Sequence, residues 1–223
     1  MADISSRLAK LSPKQREIFL KKLKETGALK ERAKITKRPD GEALPLSVQQ
    51  QQLWFLQRLQ LKSSFYNMPF AVRLKGLLNY DALDKSVSAI VQRHDVLRSY
   101  FPTASGVPQQ KVLQNLPLEI VSVPATTLSE SDFSALVLEE IRKPLELSVP
   151  PLLRITLYRR ASDEYILLVV LHHIIADGWS IGVFIEDFAH FYSAFQKTTQ
   201  PLLSKLSIQY ADYAAWQQQW LNS

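Results

Sequence analysis

The sequence predicts an α+β or mixed α/β sandwich, and three observations lead there. Strand-like and helix-like hydrophobic patterns interleave along the chain without a regular βαβ rhythm. Two strong strand patterns, Leu153 to Tyr158 and Tyr165 to Leu171, are separated by the polar turn Arg160-Ala161-Ser162-Asp163. The composition, 46% hydrophobic and 22% charged with 6 Gly and 12 Pro in 223 residues, is that of a folded globular protein with a sizeable core.

The elements follow in order. Ser12-Pro13-Lys14-Gln15 sets an N-cap serine, a proline at the first helical position and a capping-box glutamine ahead of an apolar stripe at Ile18, Phe19 and Leu23, with Gly27 as the stop. Residues 35–46 carry two prolines and a glycine and read as a linker. Ser47 then caps a helix whose apolar face holds Leu53, Trp54, Leu56 and Leu59; the short run Gln49 to Gln52 lies on it. Phe70 to Leu74 reads as a strand, and Ala82 to Val91 as an amphipathic helix with Leu83, Val87, Ile90 and Val91 on one side. Short strands are expected near Leu97 to Phe101, Gln110 to Leu113 and Leu118 to Val123, then a helix over Ser131 to Arg142. After the two strong strands, helices over Ile181 to Phe195 and Ile208 to Trp220 end the chain.

Composition excludes several functions. With no cysteine there can be no disulfide, thiolate nucleophile or cysteine-ligated zinc. The start, Met1-Ala2-Asp3-Ile4, lacks a secretory pattern, and the run Ile166 to Leu171 is too short to span a bilayer, so a cytoplasmic protein is expected. The net charge of +6 is uneven: residues 1–38 hold 12 Lys or Arg against 4 Asp or Glu, leaving 15 against 17 in the remainder. A nucleic-acid-binding body needs its own basic face, and this one has none. The basic leader is either a solvated helix surface or an element that attracts an acidic partner.

The chemistry concentrates at one place. The strand Tyr165 to Leu171 runs into His172-His173-Ile174-Ile175-Ala176-Asp177-Gly178-Trp179-Ser180. Neighbouring side chains on a strand point to opposite faces, so the two histidines are poorly placed to share a metal; one can enter a cavity while the other packs into the core. Gly178 would permit a tight turn, and Asp177 can either fix that turn or pair with an arginine and so hold the histidine ring. Two adjacent histidines can also be satisfied polar residues and no more. Their place at the end of an apolar strand, before an Asp-Gly turn and a helix start at Trp179-Ser180, favours a proton-transfer site.

His172-His173-Ile174-Ile175-Ala176-Asp177-Gly178 resembles the HHxxxDG motif of the condensation-domain superfamily, which shares its fold with chloramphenicol acetyltransferase. Three further segments resemble condensation-domain motifs in the family's order. Leu46-Ser47-Val48-Gln49-Gln50-Gln51-Gln52-Leu53-Trp54-Phe55-Leu56 is similar to the first, with Gln52 where the family has arginine. Arg93-His94-Asp95-Val96-Leu97-Arg98-Ser99-Tyr100-Phe101 is similar to the second, and Tyr210-Ala211-Asp212-Tyr213-Ala214-Ala215-Trp216 to the fourth. The resemblance begins at about residue 44, which leaves residues 1–43 as a basic leader and linker, and it ends before the family's three later motifs. It therefore implies the N-terminal lobe of a two-lobed domain, residues 44–223, with a mixed, largely antiparallel sheet flanked by helices and no C-terminal lobe.

The same resemblance implies amide formation in nonribosomal peptide synthesis, between a donor acyl or peptidyl thioester and an acceptor aminoacyl thioester. His173 would be the catalytic histidine, acting on the acceptor amine as a base or as a positioning group. His172 and Asp177 would be structural, and the Gly178 backbone would approach the reacting atoms. Arg93, Arg98, Trp179 and Ser180 would support the site, the arginines pairing with Asp177 or with other acids. His94 and His190 are expected to be ordinary helix residues, and Trp54, Tyr213 and Trp216 packing anchors. No metal or cofactor is expected on the lobe itself; phosphopantetheine would arrive on donor and acceptor peptidyl carrier proteins. The implied partners are the second lobe, an adenylation domain and, through the basic leader, an upstream synthetase. The segments around Leu53 to Leu56 and Tyr66 to Pro69 look like the class that joins two L-residues, with lipid-initiating starter domains close to it. The isolated chain is expected to be folded and inactive. Two other readings stand beside this one: a trimeric acetyltransferase of the chloramphenicol type, and a lobe that docks carriers without catalysis.

Overall fold

The computed structural model describes residues 34–39, 44–60 and 62–223, so the leader helix expected around Ser12 to Gly27 lies outside the described residues. Thr36–Ser223 forms one compact unit. Helix α1 (Val48–Leu59) leads to strand β1 (Asn67–Lys75) and helix α2 (Tyr80–Arg93). A 3₁₀ turn (Asp95–Arg98) and four two-residue strands follow: β2 (Ser99–Tyr100), β3 (Thr103–Ala104), β4 (Val107–Pro108) and β5 (Lys111–Val112). Then come β6 (Ile120–Pro124), α3 (Glu130–Arg142), β7 (Leu153–Arg159), β8 (Glu164–His172), α4 (Gly178–Gln196) and α5 (Tyr210–Leu221).

The main sheet has the order β1-β8-β7-β6, antiparallel except between β6 and β7, where α3 makes the crossover that parallel neighbours need. The mixed, largely antiparallel sheet is the one expected. Strand β8 is central and almost wholly apolar because both its faces are covered. Leu167, Val169 and Leu171 join Ile155 and Leu157 in the larger core, with Leu83, Val87 and Ile90 of α2 and Phe184, Phe188 and Phe191 of α4. Leu168 and Val170 face the other way with Tyr158, toward Phe133, Leu136 and Ile141 of α3. The larger core continues past β8 through Ile174, Ile175 and Ala176. The strand delivers His172, opposite Asn67 in register, to the rim of a rigid sandwich.

Two differences from the sequence reading have simple causes. The segment expected as one strand from Leu97 is a 3₁₀ turn followed by β2, and the β3–β4 hairpin was not anticipated. That hairpin turns at Ser105 (φ 50°) and Gly106 (φ 81°), two left-handed residues in sequence that a glycine accommodates without strain. Helix α1 is capped as expected, Ser47 Oγ accepting from the Gln50 amide while Gln50 returns a bond to the Ser47 amide. Its buried residues are not the apolar ones. Gln50 and Gln57 are buried, with Gln50 Nε2 donating to the Ile174 carbonyl at 3.3 Å, while Leu56 and Leu59 are exposed and Leu53 and Trp54 half-buried.

The segment read as linker is tied to α5. Arg38 pairs with the buried Asp212 of α5, its amide donating to Oδ1 at 3.1 Å, and Ser47 Oγ lies 3.0 Å from the Tyr210 hydroxyl. No described helix is long and apolar enough to cross a membrane.

Candidate active site

The two histidines diverge as strand geometry requires. His172, 1% exposed, turns into the core beside Tyr66, and its Nδ1 accepts from the Ile174 amide at 3.0 Å. The proton must then sit on Nε2, a buried nitrogen without a partner among the described residues. Burial, with the charge of His173 adding to it, pushes the His172 imidazole down from 6.5 to about 4.

This depression makes stability depend on pH. Below about 6.5 the unfolded chain takes up a proton that the folded chain refuses until about pH 4. Stability from His172 is therefore complete above 6.5 and falls through that window by about 3 kcal/mol. Urea unfolding at pH 7 and pH 4.5 should show the loss, and His172→Phe should flatten it. A pH profile identical in the variant would sink this account.

His173 points outward. Its amide donates to the Tyr66 carbonyl at 2.8 Å, holding the start of the turn, and its Nδ1 lies 2.8 Å from the Ala176 carbonyl. A carbonyl can only accept, so Nδ1 carries a proton, and in the neutral ring Nε2 is the nitrogen with the lone pair. His173 lines a cavity of about 710 Å³ together with Gln50, Leu53, Asp177, Ser180 and Tyr210. The geometry thus sets an imidazole, its Nδ1 engaged by the turn, at a cavity of ligand size.

Asp177 is the N-cap of α4. Its Oδ1 accepts from the Ser180 amide at 2.8 Å and from Ser180 Oγ at 2.7 Å, and Ser180 Oγ accepts from the Asp177 amide at 3.2 Å. Those bonds from Ser180 hold the Asp177 carboxyl below its ordinary value, as suits an anion at a helix N-terminus. Of the roles open to Asp177, the structure shows the one that fixes the turn. The expectation for Gly178 is corrected as to the turn alone: it is the first helical residue, outside the left-handed region, and a Cβ there would meet nothing within 4 Å. The turn does not need a glycine. Gly178→Ala should accordingly melt within about 1 °C of the parent, since substitutions away from packing cost little. A drop of several degrees would show that the turn does require it.

The two arginines are placed elsewhere. Arg93 Nε lies 3.2 Å from Asp187 of α4, and its Nη1 donates to the Ser204 carbonyl at 2.7 Å. Arg98 is 6% exposed and pairs with Asp95 at 2.5 Å, its other donors going to backbone carbonyls. Neither bonds Asp177 or lines the His173 cavity. His94, expected to be unremarkable, shares Asp187 with Arg93 at 2.7 Å and so pins the end of α2 to α4. Trp179 is 84% exposed, His190 is exposed on α4, and Trp54 and Trp216 are half-buried. Tyr213, expected to pack, stacks near Trp216 and also lines the cavity.

Sequence reasoning missed Tyr210 and Gln50 as cavity residues. Burial pushes the Tyr210 phenol above its ordinary value, so it stays protonated beside Ser47. Both residues lie inside segments singled out by resemblance, which was the available signal. Gln52, standing where the family has arginine, also lines the cavity. Among the described residues no group of three His, Asp or Glu could hold a metal ion.

A helix-flanked mixed sheet whose central strand runs into a histidine at a cavity has the chloramphenicol acetyltransferase-like fold. Residues 41–223 match the condensation domain family, and the chain belongs to that family, the condensation domains of nonribosomal peptide synthetases. It is 42% identical over 184 residues to one of the linear gramicidin synthase proteins of Brevibacillus parabrevis, an alignment covering 81% of this chain and 4% of that protein. Against phosphinothricin tripeptide synthetase PhsC of Streptomyces viridochromogenes it is 35% identical over 227 residues, covering 100% of this chain and 21% of the synthetase. The crystal structure of the X-domain from teicoplanin biosynthesis superposes with a TM-score of 0.77 at 30% identity, covering 84% of this chain and 40% of that one. The chain thus spans a small part of these synthetases and less than half of the solved domain.

Proposed function

We propose that the chain is the first lobe of a condensation domain in which His173 serves amide formation between two carrier-bound thioesters. The observation that carries this reading is the bond between His173 Nδ1 and the Ala176 carbonyl in a ring that lines the cavity, which leaves Nε2 as the acceptor of the neutral imidazole. The acceptor amine attacks the donor thioester carbonyl, forming the C–N bond and breaking the C–S bond. The amine gives its proton to Nε2 as it attacks, and the imidazolium passes that proton to the departing thiolate, which leaves as a free thiol. Asp177 and Ser180 contribute by rigidity, since the capped helix fixes the turn that carries the Ala176 carbonyl. Both substrates would arrive on phosphopantetheine arms of donor and acceptor carriers, in a cytoplasmic synthetase that also supplies the second lobe and an adenylation domain. Residues 44–223 form the lobe in this proposal, residues 1–43 precede it, and the lobe alone is inactive.

The test mixes this chain with a separately produced second lobe and follows amide formation between two loaded carriers. Product that requires both lobes supports the proposal. Acetylation of a small acceptor from acetyl-CoA by this chain alone would replace it with the acetyltransferase reading, which the family match does not favour. The basic leader is proposed as a docking element for the upstream chain. Arg38 holds Asp212, so the deletion that tests this removes residues 1–35 only. Unchanged affinity for the upstream carrier chain after that deletion would end the docking idea.

A further inference from the structure

A second cavity of about 520 Å³ adjoins the first, the two sharing Val96, Ile175, Ala176, Ser180, Tyr210 and Tyr213 as a common wall. Beyond that wall its lining is mainly apolar, with Ile90, Leu97, Val183, Phe184, Leu206 and Ile208 against the polar side chains of His94 and Gln209. The polar groups around it are already engaged. His94 is held by Asp187 at 2.7 Å, Gln209 bonds the Asp95 amide at 3.1 Å and the Arg93 carbonyl at 3.1 Å, and Ser180 caps α4 with Asp177. The Tyr210 hydroxyl lies 3.0 Å from Ser47 Oγ, and the Tyr213 hydroxyl accepts from Gln217 at 3.0 Å. A polar group entering this space would lose its hydration and find few free partners, whereas an apolar group loses nothing. Its size falls within the range of small-molecule sites.

From this juxtaposition we infer that the second cavity receives the apolar side chain of an acyl substrate whose reacting carbon lies at His173. Val183, one turn into α4, is then a residue that determines specificity. The inference rests on the function proposed above and adds to it a preference for branched or aromatic side chains over small or polar ones. The side chain belongs either to the donor acyl group or to the acceptor amino acid, which have the same chemistry and differ in whether the α-amine is free.

Calorimetric titration of this chain with four stable pantetheine amides separates these cases: alanyl and leucyl with a free amine, and N-formylalanyl and N-formyl-leucyl with the amine blocked. Within one pair the leucyl probe should bind at least about 10-fold tighter than the alanyl probe, the scale of discrimination that a few methylenes give in an apolar pocket. Discrimination in the free-amine pair assigns the pocket to the acceptor, and in the blocked pair to the donor. Filling the cavity by Val183→Phe should erase the preference for the leucyl probe. Leu206→Phe, from outside α4, should do the same and guards against a folding defect in the first variant. Equal binding of leucyl and alanyl probes in both pairs overturns the pocket and leaves the proposed function standing. A preference that survives both filled variants also overturns the pocket. Failure of all four probes to bind overturns the inference and removes support from the proposed function as well.

Discussion

Replacing His173 with alanine in the reassembled two-lobe protein is expected to lower amide formation by about 10²–10⁴-fold, the usual contribution of a positioned general base. The melting temperature should barely change. The His173 side chain is on the cavity side of the turn, and what anchors the backbone there is its own amide on the Tyr66 carbonyl, which alanine keeps. The ring makes one structural bond, to the Ala176 carbonyl. A second substitution separates proton transfer from positioning. In His173→Gln the side-chain amide can reach about as far as Nε2 and accept a hydrogen bond, but it cannot take a proton at neutral pH. If glutamine falls as far as alanine, Nε2 acts as a base. If glutamine keeps most of the rate, the histidine acts chiefly by orienting the amine. Should alanine itself retain wild-type rates, the site assignment fails.

Much of this site was legible before any coordinates, and for a definable reason. The divergence of His172 and His173 follows from strand alternation alone, and the helix start after Asp177 follows from its sequence as a cap. What periodicity could not supply was the set of distant partners. Ala176 as the acceptor for Nδ1 depends on how the turn closes, and Tyr210 reaches the cavity from a helix more than thirty residues away. The two arginines show the same limit. Each sits in a segment that resembles the family, yet Asp187 and Asp95 were as available by sequence as Asp177, and only packing decides among acids.

The fold divides in a similar way. Long elements with a clear period, α2 and the β7–β8 pair, lie where the pattern placed them to within a few residues. The two-residue strands β2 to β5 are too short to show any period, so the region between Leu97 and Leu113 was only half readable. Helix α1 is more instructive. Its apolar stripe was real, but a stripe does not say what will cover it. The buried face carries Gln50 and Gln57 beside the half-buried Leu53 and Trp54, the glutamines bonding the Ile174 and Ser63 carbonyls, and Phe55, Leu56 and Leu59 stay exposed.

The largest loss of stability is expected at Arg98. Its guanidinium reaches the last carbonyls of α2, Val91 at 3.1 Å and Gln92 at 3.4 Å, which no further helical turn can satisfy. It also donates to the carbonyls of Leu113 and Gln114, and to Asp95, so that one side chain joins the end of α2, the 3₁₀ turn and the strand after it. The positive charge lies at the helix C-terminus, where the backbone dipole favours it. Arg98→Met keeps comparable bulk and removes every donor, leaving several carbonyls and a carboxylate without a partner. Breaking such an arrangement costs about 3–5 kcal/mol, which for a chain of this size is a fall in melting temperature of roughly 6–20 °C. Arg98→Lys should lie between, because an ammonium with three donors on a flexible stem cannot span the same set of acceptors. Thermal unfolding by circular dichroism reads the outcome. If Arg98→Met melts within about 2 °C of the parent, less than the fall expected for a broken brace, the carbonyls it serves are satisfied by water, and the arginine is not the brace that its contacts describe.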